Sequence, residues 1–382
     1  MADVIVVGGG PAGSIAALIL ARAGVDVTIL DRAIFPRDKL CGDSVNPGAM
    51  ALLGRHKLAA EVEARALPVS GMLVTGPGAA AVRAVYPGGV VGRSILRRDM
   101  DLLLLEAATR AGARVELGTR VAAPLVEGVE GRQRVGGVSV HTTAGAVSRP
   151  ARVVIAADGR HSSLAFALGL ARHPRRPRRW AIGGYFEGVT GLSDVGEMHV
   201  RQGHYIGVAP VPAGLVNACL VVPEARARAI GSAAAEALDR TLRHDHLIGP
   251  RFAHARRTTP VTMLGPLAVD VASAGAEGLL LAGDAAGFID PMTGDGLRLA
   301  MRGGELAAAA ALESLERRVD AHVRLAQRRR EEFGGKLRVN RGLRSLVSVP
   351  MGVGLAAAAA RIWPDILVPV IRYAGDVDSS SW

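Results

Sequence analysis

One short stretch near the start constrains this chain more than any other. Asp3–Val7 is a brief apolar run of the kind that forms a fully buried parallel strand, and Gly8-x-Gly10-x-x-Gly13 follows at once. Ser14–Ala23 reads as a helix and Val25–Leu30 as a second strand ending at Asp31, which makes one βαβ unit of about 30 residues. Gly8 permits a tight turn, Gly10 lets the backbone approach a pyrophosphate, and Gly13 lets helix and strand pack closely. Pro11 and Ala12 open the helix, whose N–H groups and dipole favour a phosphate. Asp31 stands where a carboxylate takes a ribose hydroxyl pair. The unit therefore points to dinucleotide binding, against a plain glycine-rich turn with no ligand.

A chain of 382 residues holds about two domains, or one large core with an inserted lobe. Hydrophobic residues at 49% and charged residues at 21% support a large core and exclude disorder. Aromatics at 3% argue against stacking platforms for nucleic acid, so no nucleic-acid partner is expected. The formal charge of +11 could face an anionic substrate or a membrane surface. Lys39, Lys57 and Lys336 are the only lysines, however, and the Arg and Ala bias matches GC-rich coding. Cys41 and Cys219 are too few for a disulfide framework or a Cys-rich zinc site, and no metal-ligand spacing stands out. No targeting segment is visible, and the expectation is a cytoplasmic protein. The uncharged run Val4–Ala21 has glycines at its centre. A second run, Ser345–Ala360, is interrupted by Pro350, Gly352 and Gly354. Neither suits a bilayer span, but the second could be a surface-seeking amphipathic segment that gives peripheral membrane contact.

Further along, Arg97–Ala111 is an amphipathic helix and Arg152–Ala157 a buried strand ending at Asp158-Gly159. Val121–Val126 and Val135–Val140 suggest an antiparallel pair. Arg172–Arg179, dense in Arg and Pro, reads as a linker that could also meet NADPH phosphates. Trp180–Phe186, Glu197–Val200, Tyr205–Val211 and Leu215–Val222 suggest an antiparallel sheet in a second lobe. Gly278–Ala282 returns to a buried strand and runs into Gly283-Asp284, then Pro291-x-x-Gly294-x-Gly296 before an Ala-rich helix from Leu297. A carboxylate at that strand end can bind a ribityl hydroxyl, and the glycines let backbone N–H groups approach a flavin's polar edge. A nicotinamide dinucleotide alone would not need this second strand end.

On these motifs the sequence resembles the FAD-dependent oxidoreductases of the p-hydroxybenzoate hydroxylase and geranylgeranyl reductase superfamily. Val7–Gly13 with Asp31, Arg97-x-x-Met100-Asp101, Ala157–Ser163 and Gly283–Gly287 carry the resemblance in order across residues 4–305. It implies an α/β fold with an α+β second lobe: a Rossmann-like FAD-binding domain, an inserted antiparallel-sheet substrate domain and a C-terminal helical segment. The FAD-binding domain would comprise 1–66, 92–170 and 268–335, the substrate domain 67–91 and 171–267, and the helical segment 336–382. The resemblance places FAD against Gly8, Gly10, Pro11, Ala12, Gly13, Asp31, Arg32, Cys41, Arg97, Val121, Asp158, Gly159, Gly283, Asp284, Pro291, Gly294, Gly296 and Leu297. NADPH or NADH would be the reductant. Phe35–Asp43 is similar to a segment of the geranylgeranyl reductase branch whose cysteine, here Cys41, lies near the flavin ring.

The sequence also departs from that branch. Where prenyl reductases carry Tyr-x-Trp-x-Phe-Pro, this chain has Tyr205-Ile-Gly207-Val-Ala209-Pro210, so two aromatic walls are absent and a wider substrate pocket is expected around Tyr205, Gly207, Ala209 and Pro210. The Trp-x-Trp-x-Ile-Pro signature of flavin-dependent halogenases is absent. The first expectation is therefore a NAD(P)H-dependent monooxygenase of secondary metabolism. It would use O₂ to hydroxylate a hydrophobic polyketide, quinone or prenyl-type substrate through a flavin C4a-hydroperoxide. An ene reductase of the geranylgeranyl type is the alternative, and a non-catalytic lipid or prenyl binder the third reading. Cys41, Tyr205, His204 and His199 are the candidate catalytic side chains, and Glu187 and Asn217 have the same status as the lobe-strand histidines; none completes a recognised triad.

Overall fold

The structure, a computed structural model, describes residues 2–78, 80–129, 133–143, 145–175, 178–317, 320–348, 354, 358–359, 362–363 and 368–376. Ala2–Val7 lies at the centre of a parallel sheet, between Val27–Asp31 and the strand Gly145–Ala156. Arg114–Leu117 extends the sheet on one side and Leu279–Leu281 on the other. Alternation along the first strand explains its continuous hydrophobicity. Val4 and Val6 pack on the helices Pro11–Arg22 and Gly296–Arg317, while Ile5 and Val7 pack on Val121, Val138 and Val140 beneath. Each such buried side chain contributes roughly 1.5–3 kcal/mol. The expected hairpin pairing of Val121–Glu127 with Arg134–Thr142 is present and covers the second face.

The second sheet runs in the order Arg256–Arg257, Arg179–Glu187, Leu215–Pro223, His204–Val211, Val195–Arg201, Gly71–Thr75, Ala81–Val85. It is not wholly antiparallel as expected. Gly71–Thr75 joins Val195–Arg201 in parallel, because the chain enters the sheet twice from the parallel-sheet domain. One face packs on the helices Ala234–His244 and Gly249–Phe252 through Ile182, Phe186, Ile206, Leu220 and Phe252. The other face looks toward the parallel domain.

The helical segment expected from 336 begins earlier. Ala321–Ser348 is one helix, and the pair Gly334-Gly335, which invites a break, is spanned without one. Tyr373 covers this point, since a Cβ on Gly335 would lie 3.1 Å from its hydroxyl. Val368–Ala374 follows and packs near Ala81–Val85 through Val368. Of the expected linker, Ala171–Arg172 pairs with Asp270–Val271 and Arg179 opens a strand, while 176–177 lie outside the described residues. Most of the Ser345–Ala360 run is also outside them. Among the described residues no helix is long and apolar enough to cross a membrane.

Candidate functional site: a dinucleotide crevice facing an apolar sheet

The glycine turn is packed as tightly as its motif demands. Gly8 has φ +102°, and a Cβ there would meet the Ala157 carbonyl oxygen at 2.5 Å. A Cβ on Gly13 would lie 1.9 Å from the Gly8 carbonyl oxygen. Gly10, at the start of the helix, is open except for the Arg37 guanidinium at 3.5 Å. Pro11 and Ala12 are buried behind it. The Gly8–Ala157 contact brings the first turn against Asp158-Gly159.

Asp31 receives the Gly9 N–H at 2.7 Å on one oxygen and the Ala33 N–H at 2.8 Å on the other. Its carboxylate is thus fixed at the turn, and each oxygen keeps a lone pair for a ribose. Arg32 beside it is exposed. Asp158 accepts the Ser163 N–H at 2.8 Å with Oδ2, whereas its buried Oδ1 has no partner among the described residues; nor has the Nε of Arg160. Burial raises the Asp158 pKa against the hydrogen bonds from Ser162 and Ser163. Val121 is packed in the core beneath the sheet, with Val7 and Leu30 as neighbours in that cluster.

Arg97 opens the helix Arg97–Arg110 and is buried. Its guanidinium grips Asp101 through two hydrogen bonds of 2.9 and 2.8 Å, and Arg37 reaches the same carboxylate at 3.0 Å. Burial opposes the Arg97 charge, but Asp101 overcomes that penalty and holds the proton firmly. Cys41 lies close to the Arg97 guanidinium. Lys39 lies among Arg97, Asp284 and Asp101, its pKa lowered by burial and by the Arg97 charge.

The late motif closes the crevice from the opposite side. A Cβ on Gly283 would sit 2.9 Å from the Ala12 Cβ, so Asp284 stands beside the first helix N-terminus. Gly283, Gly287 and Gly294 have φ of +60°, +111° and +67°, a region that favours glycine. Pro291 opens a short helical turn capped by Asp290, and Gly296 and Leu297 begin the long helix. Three distant segments thus meet around one crevice with close backbone approaches. Its edge holds a positive helix end and two buried polar atoms without partners. These features fit FAD, whose pyrophosphate Gly10–Gly13 would hold and whose ribose Asp31 would hold, with Asp284 and the Cys41 loop left for the flavin end.

The loop Phe35–Asp43 stands between this crevice and the second sheet. Lys39 and Cys41 lie near Arg97 on one side. On the other, a Cβ on Gly183 would meet Leu40 Cδ1 at 2.6 Å, and Asn217 donates to the Cys41 carbonyl at 2.6 Å. Asp43 is fully buried, with φ +52°. It accepts the Tyr185 hydroxyl at 2.7 Å, the Arg97 N–H at 3.1 Å and a short bond from Asn217. Burial pushes its pKa up to about 6 despite the bonds from Asn217 and Tyr185.

The sheet face opposite the loop is apolar and partly built of small residues. Gly183, Cys219, Gly207 and Met198 are successive partners in one row, and Asn217 and Ala209 adjoin it. The space above Gly207 is open: a Cβ would meet only the Cys219 carbonyl oxygen, at 4.0 Å. Tyr205 shares this face but is sealed; its hydroxyl donates to Asp290 at 2.6 Å, beside Arg179, which binds the same carboxylate at 3.0 Å. Pro210 follows Ala209 in the strand and turns to the other face.

The two histidines do not reach the groove. His199 and His204 alternate with groove-facing Met198 and Tyr205 and therefore point to the helix-covered side. His199 binds Thr75 Oγ1 at 2.9 Å and Glu197 at 2.9 Å, and Arg251 clamps Glu197. His204 contacts Arg226 at 3.1 Å. Glu187, paired with Arg256, lies at the edge of the sheet. The role of substrate base expected of the histidines is thus corrected to structural polar pairing. Asp43 and Tyr185 were missed. The signal available was an acid two residues beyond Cys41, in the same segment.

The doubly covered parallel sheet, the closed crevice and the second sheet define a FAD-binding oxidoreductase. Residues 1–335 match the FAD binding domain family, and the chain belongs to it. The chain is 31% identical over 323 residues to the menaquinone reductase of Mycolicibacterium smegmatis, covering 80% of this chain and 75% of the relative. It is 32% identical over 344 residues to digeranylgeranylglycerophospholipid reductase 2 of Methanopyrus kandleri, covering 87% and 83%. Among solved structures, a myxobacterial chondrochloren halogenase of the FAD-dependent class matches with a TM-score of 0.80 and 27% identity, covering 88% and 82%. A geranylgeranyl bacteriochlorophyll reductase-like protein from Thermoplasma acidophilum shares the fold, with a TM-score of 0.78 over 97% and 98%.

Proposed function

We propose that this protein is a FAD-dependent reductase of a carbon–carbon double bond in an apolar, prenyl-type substrate. The observation that carries the reading is the apolar sheet face set directly across the Cys41 loop from the crevice, open above Gly207. The reductases named for a menaquinone and a digeranylgeranyl lipid support it. FAD, reduced by NADPH or NADH, would supply a hydride. Asp31, Arg97 and Asp284 would hold that cofactor, with the glycine turns giving backbone approach. Leu40, Met198 and Cys219 would exclude water and hold the chain-like substrate by contact alone. Anaerobic mixing of the dithionite-reduced holoprotein with geranylgeranyl or menaquinone substrates tests this. Return of oxidised-flavin absorbance with a hydrogenated product supports it, and no return until O₂ is admitted refutes it.

Hydroxylation of a ring-bearing hydrophobic substrate is the second reading. The halogenase likeness and the space above Gly207, where the prenyl reductases' motif has Trp, favour it. Substrate-dependent O₂ consumption with an oxygenated product would establish it in place of the first.

A further inference from the structure

Saturating a double bond takes a proton as well as a hydride, and the groove offers few groups able to give one. Tyr205 is 3% exposed and bound to Asp290. His199 and His204 face the other side of the sheet. Cys219 faces the groove, but burial pushes its thiol up to about 12, and Cys41 lies on the loop beside the Arg97 guanidinium rather than on the sheet face. Tyr185 remains. It is only half-buried, it lies on the groove face paired with Asn217, and its hydroxyl points at a fully buried carboxyl.

We propose that Tyr185 is the proton donor of this site and that Asp43 is the positioning and relay residue behind it. The inference rests on the reductase reading. In the step, the hydride carries both electrons from reduced FAD to one alkene carbon. When Asp43 is neutral its own O–H donates to the phenolic oxygen across the same 2.7 Å contact, and the Tyr185 O–H turns to the alkene. That O–H breaks as its proton bonds to the other carbon, and the phenolic oxygen takes the proton of the Asp43 carboxyl. Solvent returns that proton. The alkene is reduced by two electrons and the cofactor is oxidised by two.

The surroundings of Asp43 suit the relay. Arg97 faces it from the helix N-terminus, Asn217 and Cys219 from one strand and Tyr185 from the next, while Cys41 and Asp38 of the loop face Tyr185. Asn217 fixes the carboxyl and also holds the Cys41 carbonyl, so acid and loop move together. The left-handed backbone at Asp43, a non-glycine residue, is strain of the kind retained at functional positions. Burial raises the Asp43 pKa and also that of Tyr185, so the phenol gives its proton only as it receives another. The neutral carboxyl is the working form. Turnover should therefore be full below pH 6 and fall as pH rises through about 6.

The test uses FAD-loaded wild type, Tyr185→Phe and Asp43→Asn, with flavin content and melting temperature measured on each. Flavin reoxidation by a geranylgeranyl substrate is followed anaerobically against pH in H₂O and D₂O, and the Asp43 carboxyl is titrated by 13C NMR without substrate. Expected are a loss of about 10²–10⁴-fold in Tyr185→Phe, loss of the pH limb near 6 in Asp43→Asn, and a carboxyl titration near 6 that moves higher in Tyr185→Phe. A Tyr185→Phe protein that keeps wild-type rate and isotope effect overturns the pair. So does an Asp43 carboxyl titrating in the ordinary range. Wild type inert toward alkenes under anaerobic conditions overturns the reductase reading, and the donor assignment with it.

Discussion

The Tyr205 hydroxyl and the Asp290 carboxylate meet at 2.6 Å, joining the second sheet to the turn that precedes the long helix Gly296–Arg317. Arg179 and the Met292 N–H also bind Asp290. Tyr205→Phe removes one bond and leaves the carboxylate these two. The variant should lose about 1–2 kcal/mol of stability and keep its flavin. Urea unfolding with flavin absorbance checks this; large activity loss at unchanged stability would contradict the structural role.

Gly13 admits no side chain. Gly13→Ala puts a methyl 1.9 Å from the Gly8 carbonyl oxygen, so the helix must lift from the strand. FAD affinity should fall at least 100-fold, with a stability cost of about 3 kcal/mol or more. Gly207→Ala is the control, because that Cβ enters open space. It should bind FAD as wild type does, which flavin titration of the apoproteins measures.

Gly207 is also where the groove can be narrowed. Gly207→Trp places an aromatic wall above the Cys219 row from a Cβ position whose nearest neighbour is the Cys219 carbonyl oxygen at 4.0 Å. Melting temperature and flavin content should stay near wild type. KM for ring-bearing substrates should rise about tenfold or more, and substrate series at fixed reductant will show it. Equal KM across the series would place the substrate elsewhere.

Acid should also loosen two ion-pair clusters, at pH values well below the one at which Asp43 takes up its proton. Burial works against ionised Glu305, but hydrogen bonds from His56 and Arg302 and the Arg55 charge hold its pKa near 2. Asp245 is likewise held at about 2, against burial, by Arg201 and two backbone N–H groups. Both folded values lie below the unfolded ones. Their stabilisation is therefore complete above about pH 4.5 and is lost as pH falls toward 2, of order 1–3 kcal/mol each. Glu305→Gln should flatten the acid limb of a stability curve measured by urea titration.

The first strand, the glycine turn and the late Gly283-Asp284 turn were legible because each is a local backbone demand that few residues satisfy. The pairing of Gly71–Thr75 with Val195–Arg201 was not, since nothing local ties segments 124 residues apart at Thr75 and His199. Strand parity was legible and would have separated His204 from Tyr205, its neighbour in the chain. Asp43 could be noticed beside Cys41. Its task depends on Tyr185 and Asn217, which only the folded chain supplies.

The Phe35–Asp43 loop has a consequence for how this molecule is born. Its anchors at Tyr185 and Asn217 lie 142 and 174 positions further along the chain than Asp43. Contacts so remote form slowly. On the ribosome, the nucleotide sheet's first strands can associate long before those anchors emerge. The wall between the two chambers is then raised late in synthesis, and a nascent chain stopped before Asn217 would have a foundation but no partition.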